Sequence, residues 1–519
     1  MSFYIITASA DTYITNKILS NKFRATDANV GRAGTLDLFR LYDESSLISG
    51  GERVTSSVEE LSRILVKFDY SGLETLMSSS MNIHSSNFKA ELQLFEVPLG
   101  SPTPSNFNVV CYPLAKDFDE GSGYSVNGFS DAGVANFITA SYSNGSNTAW
   151  QISGSGQPGP LSNVDNIDYV TSGTIEGQVI DFGSSKYFKE GPGDLSLDIT
   201  TAVSASLVGH LDNKGFRLSF SGSDEQDSKT RFVKRFLSRQ AKNEMLRPRI
   251  LVTWDDSIRD RHLDLKFNLS SSLFLKNFES GMPSNLISDS SLNELTGLNC
   301  VTLRFVSGSG TKNETTFTVQ ASQHTGSSTG AGMKGVYSGT FNLDEFNTTF
   351  FGKTPKTAGE VELQEIWSTN DLTVGFYTGS IKITKSSKSI AGFSNRRLFV
   401  STIGSQPEYK EDSDVSLRLF IEDIDASSKE KAYKLPRSRK SLVVDSCYYR
   451  IVDSESGKVI VPFDKIRNST KVSTDADGMF INFLTSGLPK GRVYTVDILL
   501  YDMGVERLIK LEDVAFRVI

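Results

Sequence analysis

An all-β chain is what this sequence predicts, and three observations lead there. Short runs alternate apolar and polar residues with turn residues between them, the period of strands that bury one face. The composition, with 42 Gly, 33 Phe and 17 Tyr against 8 Met, favours strands and turns. Helical periodicity is scarce across the 519 residues.

In chain order, the clearest strands are Arg63-Ile64-Leu65-Val66-Lys67-Phe68, Lys89-Ala90-Glu91-Leu92-Gln93-Leu94-Phe95 and Gly215-Phe216-Arg217-Leu218-Ser219-Phe220. Arg249-Ile250-Leu251-Val252-Thr253-Trp254, Asp414-Val415-Ser416-Leu417-Arg418-Leu419-Phe420 and Tyr494-Thr495-Val496-Asp497-Ile498-Leu499-Leu500 follow. Residues 71–80 have room for a turn or two of helix. The longer helical expectation is 227–245, where Phe232, Val233, Phe236 and Leu237 fall at near-helical spacing until Pro248 stops the run. Polar loops are expected at 43–59, 101–108, 121–131, 144–163 and 307–330. No fixed repeat period emerges, which weighs against a propeller or β-helix.

Two polar runs mark domain exits: Asp255-Asp256-Ser257-Ile258-Arg259-Asp260-Arg261 and Lys385-Ser386-Ser387-Lys388-Ser389. They divide the chain into 1–256, 257–388 and 389–519. The first length suits a jelly-roll sandwich with a short helical insertion. The other two suit immunoglobulin-like β-sandwiches of about 100 residues.

Composition narrows the function. With 38% hydrophobic and 22% charged residues the chain has material for packed cores. No stretch approaches the roughly 20 apolar residues of a membrane helix. The opening Met1-Ser2-Phe3-Tyr4-Ile5-Ile6-Thr7 lacks the basic start and apolar core of a signal peptide. Cys111, Cys300 and Cys447 are far apart and odd in number, so three reduced, mostly buried thiols and synthesis in a reducing cytoplasm are expected. His84, His210, His262 and His324 are equally scattered, and no pair has zinc-ligand spacing. Neither a metal nor an organic cofactor is expected.

Candidate chemistry is sparse. Asp117, Asp119 and Glu120 cluster beside Gly121 and Gly123, but one loop cannot supply the six to eight oxygens of a calcium site. Asp475-Ala476-Asp477-Gly478 lacks the later ligands of a calcium loop and reads as a tight turn between strands. Trp150, Trp254 and Trp367 are too dispersed for one sugar-stacking platform. Two basic segments remain. One contains Arg231, Lys234, Arg235 and Arg239, the other Lys434, Arg437, Arg439 and Lys440. The chain as a whole carries a net charge of -7, so docking on an acidic protein neighbour is the expected use and nucleic-acid binding is not. Reversing Arg235 and Arg239 to Glu is then expected to leave the chain folded and impair docking.

Several of these segments carry a resemblance. Ala10-Asp11-Thr12-Tyr13-Ile14, Asn29-Val30-Gly31, the strand from Arg63 to Asp69 and Arg247-Pro248-Arg249-Ile250-Leu251-Val252 resemble, in order and spacing, the DNRLRE-type β-sandwich related to carbohydrate-binding modules. Nearly the whole chain resembles virion structural proteins of large tailed bacteriophages. That resemblance lies in Asp27-Ala28-Asn29-Val30-Gly31-Arg32, Phe118-Asp119-Glu120-Gly121-Ser122-Gly123, Val233-Lys234-Arg235-Phe236-Leu237-Ser238-Arg239 and Ser469-Thr470-Lys471-Val472-Ser473-Thr474. It implies a non-enzymatic part of the virion, assembled in the host cytoplasm and placed in the tail or baseplate. The neck, collar or head surface is a second placement. Implied partners are other virion proteins or further copies of the chain. The carbohydrate-binding relatives add a host glycan as the alternative.

Overall fold

The computed structural model describes residues 3–20, 23–49, 52–77, 81–97, 105–143, 145–288, 293–308, 314–324, 332–344, 347, 360–384, 397–424, 441–502 and 505–519. The chain is nearly all β, as its periodicity predicts, and it divides into two compact units. One comprises Tyr4–Glu74 and Lys89–Val252, the other Met1–Phe3, Thr75–Phe88 and Thr253–Ile519.

The first unit is built on ten strands: β1 (Phe3–Thr15), β2 (Thr35–Ser49), β3 (Glu52–Phe68), β4 (Lys89–Leu94), β5 (Phe107–Pro113), β6 (Ser184–Phe188), β7 (Leu195–Asp198), β8 (Phe216–Phe220), β9 (Arg231–Leu237) and β10 (Arg249–Thr253). They run in the order β6-β5-β8-β3-β1-β10-β4-β7, with β2 on the first half of β3 and β9 on β2. The far edge of β9 bonds to residues 95–97, which follow β4, so the sheet bends back on itself. A core of Ile14, Leu65, Leu114, Phe118, Ala135, Ala140 and Trp150 lies inside. Short helices are Ser71–Met77, Thr200–Leu207 and Gly222–Gln226.

Three expectations require correction. Residues 231–237 are strand, not helix, paired antiparallel with 35–40. A β-bulge between Arg231 and Lys234 inserts one residue and breaks the two-residue alternation, which made the apolar spacing look helical. The expected loop 43–59 is a hairpin, with rungs from Arg40↔Leu61 to Ser49↔Glu52. Within the expected loop 307–330, Thr315–Gln323 is a strand.

The second unit holds two β bodies. In the first, β11 (Ser270–Lys276), β12 (Val301–Ser307), β13 (Thr315–Gln323), β14 (Val336–Asn342), β15 (Glu360–Ser368) and β16 (Gly375–Thr384) form one sheet in the order β11-β14-β13-β12-β15-β16. Phe267 N–H donates to Thr384 O and Thr384 N–H to Leu265 O, so the stretch before β11 joins the far end of β16. The sheet wraps one core that includes Leu273, Leu303, Phe305, Tyr337, Leu363, Trp367 and Ile383.

The last body is a sandwich. One sheet has the order β17 (Leu398–Ile403), β18 (Asp414–Asp423), β22 (Gly478–Leu484), β21 (Ser473–Asp475). The other has Glu408–Tyr409, β24 (Val505–Val518), β23 (Val493–Asp502), β19 (Ser446–Asp453), β20 (Val459–Val461). Taken in chain order these are the ABED and GFC sheets of an immunoglobulin domain. The Asp475↔Gly478 rung closes the expected tight turn, with Gly478 at φ 127°. Tyr494 opens β23 fully buried, and its hydroxyl donates to Pro489 O at 2.8 Å, the corner that such domains place at this point. Val496 stands where antibody domains carry a cysteine, and Cys447 is buried and free. Core packing and the tyrosine corner therefore take over the role of a disulfide here. Tyr494→Phe is expected to cost about 1 kcal/mol in urea unfolding by leaving Pro489 O unpaired.

The polar run expected as an exit carries a strap. Thr474 N–H donates to Ile258 O at 2.8 Å, and Thr474 Oγ1 donates to Asp260 O at 2.9 Å. Arg261 reaches Asp445 at 2.6 Å. Residues 258–261 thus extend the edge of the last sandwich, and the chain reaches β11 after residues 262–269. The second expected exit, 385–389, lies outside the described residues.

Candidate functional site

The four basic residues of the first segment sit on or just beyond β9, and each meets a carboxylate of its own unit. Arg231 forks onto Asp227 at 2.6 and 2.8 Å and also reaches Asp224 at 3.0 Å. Lys234 is fully buried and donates to Glu96 and to Gly191 O. Arg235 binds Asp37 through two bonds of 2.6 and 2.7 Å. Arg239 binds Glu120 through two bonds of 2.5 Å. The three arginine pairs are planar guanidinium–carboxylate forks, the geometry in which arginine is held most firmly. Burial lowers the affinity of Lys234 for its proton, and Glu96 opposes that. The second basic group, Lys434, Arg437, Arg439 and Lys440, lies outside the described residues.

Four of the segments that carry the sequence resemblance, those around Asp11, Asn29, Glu120 and Arg239, converge at Arg239. Asn29 is buried with its amide filled. It donates to Glu120 O at 2.8 Å and Ala135 O at 2.9 Å, and accepts from Gly123 N–H at 2.8 Å and Gly31 N–H at 3.3 Å. A Cβ on Gly31 would lie 2.0 Å from Glu120 O, and one on Gly123 1.9 Å from Asn29 O, so both positions need glycine. Asp11 accepts from Arg239 N–H at 2.5 Å, and its own N–H donates to Glu120 Oε1 at 2.9 Å. Asp11 Oδ1 is buried without a hydrogen-bond partner among the described residues.

Burial raises the Asp11 carboxyl to about 7, against the lowering effect of the Arg239 N–H. The unfolded chain loses this proton near 3.8 while the folded chain keeps it to about 7. Stability should therefore fall as pH rises through that window and level off above it, by at most about 1.4 kcal/mol per pH unit. Asp11→Asn is expected to flatten this slope in denaturation measured from pH 4 to 8. An unchanged slope would place the titrating group elsewhere.

The carboxylate cluster at 117–120 separates by strand-like alternation. Phe118 turns into the core and Glu120 to Arg239. Asp117 pairs with Lys67 at 2.7 Å, and Asp119 accepts from Tyr142 N–H at 2.7 Å. Asp117 and Asp119 line a polar cleft of about 480 Å³, with Lys116, Tyr142, Thr148 and Asp165 among the other walls. Tyr142 is more than half exposed. Among the described residues, Asp165 and Thr148 make no side-chain hydrogen bond. Tyr142 lies on the strand Thr139–Ser143 and Asp165 on the 3-10 turn Leu161–Asn166, and neither carries a sequence signal because only the fold brings them beside Asp119. No group of three or more His, Cys, Asp or Glu side chains is placed to hold a metal ion among the described residues. No helix there is long and apolar enough to cross a membrane.

No family model matches the chain, and no curated protein matches it. Among solved structures it is similar to the tandem Ig repeats of Dlar, at 9% identity over 49% of this chain and 92% of that one, TM-score 0.13. It is also similar to the three N-terminal domains of the bacteriophage RB49 Highly Immunogenic Outer Capsid protein (Hoc), at 10% identity over 49% and 56%, TM-score 0.13. A putative membrane anchored protein from Corynebacterium diphtheriae matches at 7% identity over 93% and 96%, TM-score 0.15. Likenesses this slight carry no statement about what the chain does.

Proposed function

We propose that this chain is a non-enzymatic structural component of a tailed-phage virion, placed in the tail or baseplate, where it joins or decorates other virion proteins through its β surfaces. One observation supports this most. The basic side chains that sequence alone offered to a partner, and Arg63 with them, are engaged as internal ties: Arg231 with Asp224 and Asp227, Lys234 with Glu96, Arg235 with Asp37, Arg239 with Glu120, and Arg63 with Glu225. Such ties specify register and rigidity rather than turnover. The virion assignment itself rests on the resemblance of the sequence to tailed-phage structural proteins. It is tested on purified particles. Mass spectrometry should find the chain at fixed stoichiometry, and antibody labelling should place it on the tail or baseplate. Absence from the particles sinks the reading, and labelling at the neck or head moves the location.

A second reading is favoured by the cleft. An exposed Tyr142 ring beside Asp119, Asp165 and Thr148 offers a stacking face and hydroxyl acceptors, the equipment of saccharide recognition. On a glycan array the intact chain should then bind one glycan class saturably, and Tyr142→Ala should abolish that binding. A blank array leaves the cleft without this use.

A further inference from the structure

The hairpin of β2 and β3 outruns every strand that supports it. On one side β9 pairs with β2 only as far as Arg40, and Thr230 Oγ1 then takes Tyr42 N–H and O. On the other side β1 pairs with β3 only from Ser62 onward, and Arg24 then bonds Glu59 O. From Asp43↔Val58 to Ser49↔Glu52 the ribbon has two strands and, among the described residues, no third. At about 3.3 Å per residue these rungs extend roughly 23 Å beyond the sheet.

An isolated two-stranded ribbon is marginal in water, and every second residue on each strand turns its N–H and C=O outward. Natural edges are guarded by lysine, proline, bulges or brevity. This arm is long and unbulged, and residues 41–60 contain no Lys and no Pro. The stretches Ser45-Ser46-Leu47-Ile48 and Val54-Thr55-Ser56-Ser57-Val58 are uncharged and mostly β-compatible. Within the arm, charge sits at the root and tip instead: Asp43, Glu44 and Glu52 against Arg53, while at the very root Glu59 pairs with Arg40 at 3.4 Å and Glu60 accepts from Ile18 N–H at 2.9 Å. Two such arms laid edge to edge would repel, so the arm of a second copy is a poor occupant.

We infer that the arm is an assembly element. Its open edge adds as a strand to a sheet edge of a different protein, and that edge is flanked by Lys or Arg. Strand addition supplies main-chain hydrogen bonds, and the acidic root selects the basic neighbour. The inference rests on the virion reading only for where the neighbour is found.

The test places a photoreactive residue at Ser57, which is exposed, in the full chain. Infected cells are irradiated before particles are purified. The expected adduct joins Ser57 to a Lys- or Arg-flanked β segment of another protein. The variant carrying Asp43→Lys and Glu44→Lys should reduce that adduct and particle incorporation at least tenfold with its thermal transition unchanged. A second variant, with residues 45–56 replaced by Asn-Gly, should do the same. No adduct, an adduct to a second copy, or wild-type adduct levels in both variants overturns the inference. Absence of the wild-type chain from particles removes the virion reading alone, because the adduct formed in cells still reports on the arm.

Discussion

Replacing Arg235 and Arg239 together by glutamate is expected to destabilise the first unit strongly, lowering its Tm by about 10 °C. Each guanidinium forks onto a carboxylate that is largely buried, Asp37 and Glu120. Each arginine is itself about one third exposed, which discounts the interaction. Losing a charged fork and leaving its carboxylate behind still costs about 2 kcal/mol, and the new Glu adds like-charge repulsion. At position 239 that repulsion falls on Glu120 and beside Asp11 together. A total of about 4 kcal/mol is expected, and in a unit of this size it shifts Tm by the amount stated. Adding Asp37→Arg to Arg235→Glu should restore part of the loss. Near-wild-type melting of the double reversal would mean that these forks contribute little. Sequence alone predicts a folded protein that has lost a docking surface. With the pairs in view, reduced incorporation of this variant would report on folding, so the arm variants are the better probe of docking.

The second large effect is expected at His262. Its ring is held between two carboxylates: Nδ1–H donates to Asp260 Oδ1 at 2.5 Å and Nε2–H to Glu365 Oε2 at 2.9 Å. Glu365 is 1% exposed and Asp260 6% exposed, and Trp367 Nε1–H also donates to Glu365 at 2.5 Å. Burial alone would lower the imidazolium pKa, but the two hydrogen-bonded carboxylates raise it to about 10. His262→Ala leaves two buried carboxylates without a cation, which costs about 3–5 kcal/mol. Calorimetry should show the transition of the second unit falling by about 10 °C while that of the first unit stays in place. The pH dependence has a definite sign. The stabilisation is fully present below the ordinary histidine value of 6.5 and is lost as pH rises to about 10. A variant that keeps the wild-type slope over that range would show that another group is responsible. Because Asp260 also bonds to Thr474 through its backbone, the same substitution should loosen the strap at 258–261.

How much was legible follows from how local each signal is. Arg63 to Phe68, Lys89 to Leu94 and Tyr494 to Leu500 alternate cleanly because each buries one face. Burial is written into their side chains two residues apart. The arm was invisible for the opposite reason. Residues 43–58 pair as a two-stranded ribbon, but their sequence is rich in serine and does not alternate apolar with polar, so it reads as loop. Residues 231–237 misled because one bulged residue turns a period of two into something near 3.6.

By itself the sequence determined the all-β class, the main strands, the immunoglobulin-like size of the last body and the dispersal of its cysteines and histidines. These depend on neighbours in the chain. Only the tertiary structure decided what the charges do. Arg239 and Glu120 are 119 residues apart, Arg235 and Asp37 are 198 apart, and His262 and Glu365 are 103 apart. A cluster of cations in sequence looks like a surface for a partner. Folding places a distant carboxylate opposite Lys234, Arg235 and Arg239, and an ion pair depends on separation in space, not along the chain.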